Sequence, residues 1–243
     1  MNARAEISGG ISLGAAARRL FGPEVAVATL DPRFAHGPVW PIERAAIARA
    51  VPARQQEFAA GRIAARQAMT RLGQPATAIG QSSDRAPIWP PGLTGSISHC
   101  ATACIAAVAR RADVASLGVD VEPDTPLEDA LLGFVCTAGE RDWLARQTQG
   151  HPGHLAKLIF SAKESAYKCQ YPLTRRVIGF ERISVKIDLV SGSYDATFTQ
   201  NTGRFRAGQV LSGRFVRAGG LIVTGMALRA SKPQARETGR GSM

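Results

Sequence analysis

The sequence predicts a mixed α+β chain, in which two long amphipathic helices accompany a run of antiparallel strands. Three observations carry this expectation. Apolar residues recur at near-helical spacing from residue 52 to 72, as Phe58, Ile63, Ala65, Met69 and Leu72. They do so again from residue 155 onward, as Leu155, Leu158, Ile159, Ala162 and Ala166. Ile183, Val185, Ile187 and Leu189 instead alternate with polar residues, the period of a half-buried strand, and residues 194–199, 210–216 and 221–228 continue in that style.

Taken in order, residues 1–45 mix Gly, Pro and Arg without sustained periodicity, which predicts loop with one short strand over 25–29. Pro52 suits the first turn of a helix and Gly73 supplies its stop. On that helix Arg54, Arg62 and Arg66 lie at i, i+8 and i+12. At about 100° per residue they share one sector and form a basic stripe beside the apolar one. Residues 74–95 are rich in Pro, Gly and Ser and predict an irregular loop, because Pro breaks both regular ladders. Apolar runs at 104–109 and 117–121 predict strands joined by the charged turn 110–113. The second long helix should end before Pro172. The chain is expected to divide into an N-terminal half, 1–114, and a C-terminal half, 115–228. Residues 229–243 hold four basic groups, one Glu and few apolar side chains, which predicts a disordered tail.

Of the 243 residues, 45% are hydrophobic and 20% charged, the balance of a soluble globular protein with a sizeable core. The longest apolar runs, such as 221–228, fall well short of the roughly 18 residues a spanning helix needs, so no membrane span is expected. Arg4, Arg18 and Arg19 precede no continuous apolar segment, so no secretory signal is expected and a cytoplasmic location is. Cys100, Cys104, Cys136 and Cys169 form neither CxxC pairs nor a regular framework and read as reduced, buried thiols. The net charge of +11 draws the chain to something anionic: nucleic acid, a polyphosphate cofactor or an acidic partner protein. Only 6% of residues are aromatic and no stacking pattern appears, which makes a basic nucleic-acid-binding module the weaker alternative.

The chemistry concentrates in Leu117-Gly-Val-Asp-Val-Glu122. Asp120 and Glu122 would face the same side of a strand, and Mg²⁺ is commonly held by one or two carboxylates together with phosphate oxygens. Read alone, the pair equally suits a half-buried strand with a solvated acidic edge. A third carboxylate, Glu164, stands among Lys163 and Lys168 on the second helix and turns the set towards a metal-bound diphosphate. In isolation Glu164 and Lys168 would be an ordinary i, i+4 pair worth about 0.3–0.5 kcal/mol. His99, after Gly95-Ser-Ile-Ser98, is either a donor to a phosphate oxygen or a structural histidine. Ser96 and Ser98 lack the Gly-x-Ser-x-Gly elbow of a serine hydrolase. No Gly-x-x-x-x-Gly-Lys-Ser/Thr loop supports a different Mg²⁺-dependent phosphotransferase.

Five segments taken together resemble one family. They are Arg54-Gln-Gln-Glu-Phe-Ala-Ala-Gly-Arg-Ile-Ala-Ala-Arg66, Arg85-Ala-Pro-Ile-Trp-Pro90, Gly95-Ser-Ile-Ser-His-Cys100, Gly118-Val-Asp-Val-Glu122 and Phe160-Ser-Ala-Lys-Glu-Ser-Ala-Tyr-Lys168. In order and kind they are similar to the 4′-phosphopantetheinyl transferases of the enterobactin synthase component D and surfactin-synthase type. The resemblance implies an α+β fold of two similar halves related by a pseudo-twofold, with coenzyme A in the cleft between them. It implies Mg²⁺-dependent transfer of the phosphopantetheine arm of coenzyme A to a serine of an apo carrier protein, releasing adenosine 3′,5′-bisphosphate. The pathway implied is siderophore or other nonribosomal peptide or polyketide synthesis.

By the same resemblance Asp120, Glu122 and Glu164 hold Mg²⁺, and Glu164, directly or through a water, takes the serine proton. Lys168, a second catalytic candidate, pairs with the diphosphate together with Lys163. Ser98 and His99 meet a coenzyme A phosphate, and Arg54, Arg62 and Arg85 the 3′-phosphate end. Arg66 matches the motif but is expected in a structural ion pair. An acidic carrier suits the positive charge of the chain, with residues 123–153 as the expected docking segment. No nucleic acid is expected, and two fused halves that already build the cleft imply a monomer.

Overall fold

The computed structural model describes residues 12–148 and 151–231. In chain order it begins with α1 (Leu13–Arg18), β1 (Val25–Leu30), α2 (Pro41–Ile47), α3 (Pro52–Arg71), β2 (Gly80–Gln81), β3 (Pro87–Ile88), β4 (Leu93–Cys100) and β5 (Ala103–Arg110). Then come β6 (Val114–Pro123), α4 (Asp129–Val135), α5 (Ala138–Ala145), α6 (Pro152–Thr174), β7 (Ile183–Asp188), β8 (Ser193–Phe198), β9 (Val210–Ala218) and β10 (Leu221–Arg229). A three-stranded antiparallel sheet has the order β1-β5-β4, a five-stranded one the order β6-β10-β9-β8-β7, and β2-β3 form a two-residue hairpin ladder.

Each sheet buries one face under a long helix. α3 lays Ala60, Ala64, Ala65, Ala68 and Met69 on Ala28, Cys104, Ala106 and Val108 of the smaller sheet. Alanines on the helix keep it close to the strands and cost no side-chain entropy. α6 lays Leu155, Leu158, Ile159, Ala162 and Ala166 on the larger sheet, where Ile183, Val185 and Ile187 point inward by strict alternation. A third cluster sets Val27, Ile105 and Ala107 against Leu117, Val119, Val121 and Val223. The two sheets thus share a core. β4 runs beside β6 there, and Ser96 Oγ accepts from the Val119 amide at 3.1 Å.

Gly118 sets the depth of α6. A Cβ at this position would lie 1.9 Å from the Ser165 carbonyl oxygen, so only glycine lets the helix come this close to β6.

The mixed α+β architecture, α3 and the strands after residue 183 follow the expectation, and several elements depart from it. α1 and α2 lie where loop was predicted; six- and seven-residue helices are too short to show a period. The segment 74–95 holds the β2–β3 hairpin and the start of β4, with Pro87 tolerated in a two-stranded edge ladder. β4 carries Thr94, Ser96 and Ser98 where a core strand would carry aliphatic residues, so hydrophobic alternation does not mark it. Residues 111–113 do join β5 to β6, which lie in different sheets. α6 passes Pro172 to Thr174, since a missing N–H in the last turn is cheaper than one at mid-helix, and Arg175 ends it in the left-handed conformation. β10 takes in Arg229, the first residue of the expected tail; residues 232–243 of that tail lie outside the described residues. All four cysteines are free thiols, Cys100 being partly exposed. Among the described residues no helix is long and apolar enough to cross a membrane.

Candidate active site

The site forms where β4, β6 and α6 meet, because β6 brings its acids between a polar strand and a helix. Asp120, 2% exposed, is its hub. Its Oδ1 accepts from Ser98 Oγ at 2.8 Å and from Lys168 Nζ at 2.6 Å, and its Oδ2 accepts from Ser161 Oγ at 2.8 Å. Lys168 also donates to Ser98 Oγ at 3.0 Å. Glu122, two residues on and only partly buried, has Lys157 Nζ at 3.5 Å. Lys157, Ser161, Glu164 and Lys168 are spaced by four, three and four residues, so α6 presents them along one face.

The carboxylates are electrostatically crowded. Burial, then the charge of Asp120, raises the Glu122 carboxyl above its ordinary range, with Lys157 opposing. Burial likewise raises Glu164; Lys168 opposes, and Asp120 and Glu122 push it further up. Both acids therefore carry a like-charge interaction with Asp120, offset in part by Lys157 and Lys168, that a bound cation would ease. Among the described residues no three His, Cys, Asp or Glu side chains already converge on a single ion position. Lys168 Nζ stands at Asp120 in that role. The all-oxygen donor set fits a hard divalent cation.

The predicted basic residues divide. Lys168 lies at the hub. Lys163, expected at the diphosphate, is 1% exposed and turned into the core. It donates to Val135 O at 2.8 Å, Glu140 Oε2 at 2.7 Å and Phe180 O at 3.1 Å, which uses all three of its protons. Glu140 in turn accepts from the Thr137 and Val185 amides, so this buried pair ties α5 and β7 to α6.

Arg62, expected at the 3′-phosphate, is also internal. Its Nε donates to Ile79 O at 2.9 Å and its Nη2 to Gly80 O at 3.3 Å, and the guanidinium lies over the Phe58 ring. Burial lowers its pKa to about 10. Arg66 makes the structural pair, with Glu43 Oε1 at 2.6 Å. The basic stripe on α3 is therefore solvated only towards its start. There Arg54 contacts His99 Nε2 and reaches Glu57 Oε2 at 3.4 Å. His99 Nδ1 is buried, 3.3 Å from Glu57 Oε2 without hydrogen-bond geometry. Burial, then Arg54, lowers the His99 pKa, which favours the neutral ring. Arg85 is exposed at the tip of the β2–β3 hairpin with φ 66°. Ser98 serves Asp120 and Lys168 directly.

Beside Glu164 opens a mainly apolar cavity of about 180 Å³, walled by Phe134, Tyr167, Val177, Ile178 and Phe180. Phe134 and Val177 are 70% and 80% exposed at its rim. Sequence reasoning did not single out Ser161, Lys157, Tyr167 or Asp84. The i−3 and i−7 spacing of Ser161 and Lys157 from Glu164 was the available signal for two of them.

Comparison with known proteins gives two family matches. Residues 42–109 match the 4′-phosphopantetheinyl transferase N-terminal domain and residues 116–214 the 4′-phosphopantetheinyl transferase superfamily. The chain is 41% identical over 208 residues to 4′-phosphopantetheinyl transferase Svp of Streptomyces mobaraensis, covering 84% of each chain. It is 38% identical to 4′-phosphopantetheinyl transferase Npt of Nocardia iowensis, over 77% of this chain and 88% of that one. Enterobactin synthase component D of Salmonella typhimurium is 40% identical over 117 residues, 47% of each chain.

Proposed function

Because the chain belongs to the 4′-phosphopantetheinyl transferase superfamily, we propose that its residues divide the work of that transfer as follows. The protein is a 4′-phosphopantetheinyl transferase: it moves the phosphopantetheine arm of coenzyme A to a carrier protein. Coenzyme A lies in the cleft between the halves 1–114 and 115–228. The apolar cavity beside Glu164 receives the uncharged pantetheine arm.

Glu164 is the general base. A serine hydroxyl is a weak nucleophile that needs a base within hydrogen-bond reach, and a carboxyl raised by burial is better matched to that task at neutral pH than a solvated one. The serine Oγ forms a bond to the phosphorus that carries pantetheine. The bond from that phosphorus to the bridging oxygen breaks, adenosine 3′,5′-bisphosphate departs with the electron pair, and the serine proton passes to Glu164. Lys168 stabilises charge on the diphosphate, and Asp120, fixed by Ser98 and Ser161, holds Lys168 in place. Arg54, His99 and Arg85 meet the remaining phosphates. Asp120, Glu122 and Glu164 would hold Mg²⁺, which when bound supplies charge stabilisation for the leaving bisphosphate.

The carrier is an acidic protein or domain of siderophore, nonribosomal peptide or polyketide assembly. It docks at the apolar rim of Phe134, Val177 and Leu131, flanked by Arg175, Arg176 and Arg182. This extends the expected segment 123–153 to residues 175–182. The observation that supports the reading is the buried Asp120 carboxylate held by Ser98, Ser161 and Lys168, with Glu164 one turn from Lys168 on the same face of α6. Intact-mass spectrometry of an apo carrier incubated with the protein, coenzyme A and Mg²⁺ tests it. A gain of one phosphopantetheine unit that EDTA abolishes is expected; no gain with aryl, peptidyl and acyl carriers would overturn it.

A further inference from the structure

The β2–β3 hairpin, residues 80–88, is anchored at both ends to different parts of the molecule. At its base Ile79 and Gly80 are gripped by α3 and α2. Arg62 holds both carbonyls, and Glu43 Oε1 accepts from the Ile79 amide at 3.0 Å while Arg66 neutralises it. All three charged groups are buried. At its tip the Asp84 carboxylate does two things at once. Its Oδ1 accepts from Ser82 Oγ and from the Ala86 amide at 3.1 Å, which closes the turn. Its Oδ2 accepts from Tyr171 OH and has Arg175 Nη1 at 3.4 Å, which ties the turn to the end of α6.

Between these anchors sits Arg85, at φ 66°, a left-handed conformation that favours glycine. The turn holds it there through its own amide to Ser82 O at 2.9 Å and through Gln81 Nε2 to its carbonyl at 3.0 Å. A single turn of α6 connects this latch to the site. The Tyr171 ring stacks on Tyr167 at 5.6 Å, Tyr167 walls the cavity beside Glu164, and Lys168 follows it in the chain.

We propose that the 80–88 hairpin is a strap across the coenzyme A cleft, and that Asp84 and Tyr171 are positioning residues that lock it to α6 and so hold Arg85 on the phosphates. The proposal rests on the transferase reading above. It accounts for an arginine kept where glycine would be less strained: the side chain is needed at that point, and Asp84 supplies the hydrogen bonds that offset the conformation. Asp84 and Tyr171 touch no reacting atom in this scheme, so their loss should weaken coenzyme A binding and leave the chemical step intact.

Titration calorimetry with coenzyme A, on the full chain, tests this with Asp84→Ala, Tyr171→Phe, Arg85→Ala and the double variant Asp84→Ala/Arg85→Ala, each checked by thermal melting. Asp84→Ala and Tyr171→Phe should weaken binding about five- to tenfold, the scale of losing hydrogen bonds to a charged group. The KM for coenzyme A should rise in step while kcat and the melting temperature hold. The double variant should bind no more weakly than Arg85→Ala alone, because Asp84 acts through Arg85. Native affinity in Asp84→Ala and Tyr171→Phe, or Asp84 and Arg85 losses that multiply, would overturn the strap. A native protein that binds no coenzyme A would overturn the transferase reading beneath it as well.

Discussion

Glu164 stands partly buried on α6, and burial followed by the charges of Asp120 and Glu122 holds its carboxyl above the ordinary range. Its neighbour Lys163 is turned inward from the same helix, sealed against Glu140. Adjacent helical residues point about 100° apart, so two charged groups side by side in the chain can serve the site and the core respectively. Glu164→Gln should lower transfer by about a hundredfold or more, the usual worth of a general base, read by the mass assay. The same change should raise the melting temperature at pH 7 in EDTA. The sign follows from linkage. A raised folded-state pKa means the folded protein keeps this proton to higher pH than the unfolded chain, so the stability it brings is complete in acid and is lost as pH rises through the folded value. Glutamine loses nothing there. The gain should therefore vanish near pH 4 and be full at neutrality.

At the scale of elements, the approach of α6 to β6 over Gly118 sets how near Glu164 and Lys168 of the helix lie to the acids of the strand. Gly118→Ala forces its Cβ against the Ser165 carbonyl. It should cost about 1–3 kcal/mol or more in chemical denaturation, as overpacking does, and reduce transfer even where the protein remains folded, because α6 carries Glu164 and Lys168. Gly133→Ala on α4, where an added Cβ meets nothing within 4 Å, should leave both quantities at native level or gain slightly in stability. α3, α6 and β7 to β10 were legible because each repeats a hydrophobic period long enough to read. β4 was not: it is buried against β6 through Ser96, which accepts from the Val119 amide, and Ser98, which donates to Asp120, and polar pairing across strands leaves no hydrophobic period. α1 and α2 were too short for any period.

At the scale of the molecule, the net charge of +11 suits the anionic coenzyme A and the acidic carrier proposed above. Raising NaCl from about 50 to 500 mM should cut kcat/KM for an acidic carrier about tenfold, through association more than through chemistry, since screening shortens the reach of steering charges. A carrier with its acidic surface neutralised should lose most of that salt dependence; equal slopes for the two would sink the electrostatic account. The amino-acid sequence by itself determined the chemistry on offer: a mixed α+β chain, two acids on one face of a strand, a third on a helix, and a basic chain around them. Those are local properties, readable from period and spacing. Only the tertiary structure decided which cations are free to use. Lys163 and Lys168, like Arg62 and Arg85, are equivalent as letters, yet Lys163 spends all three protons on Glu140 and the carbonyls of Val135 and Phe180, and Arg62 is buried with Nε and Nη2 given to the carbonyls of Ile79 and Gly80. Those partners lie 17 to 28 residues away in the chain. A buried charge must be paired wherever the fold puts a partner, and where that partner falls is a property of packing between distant segments, which no spacing within one segment records.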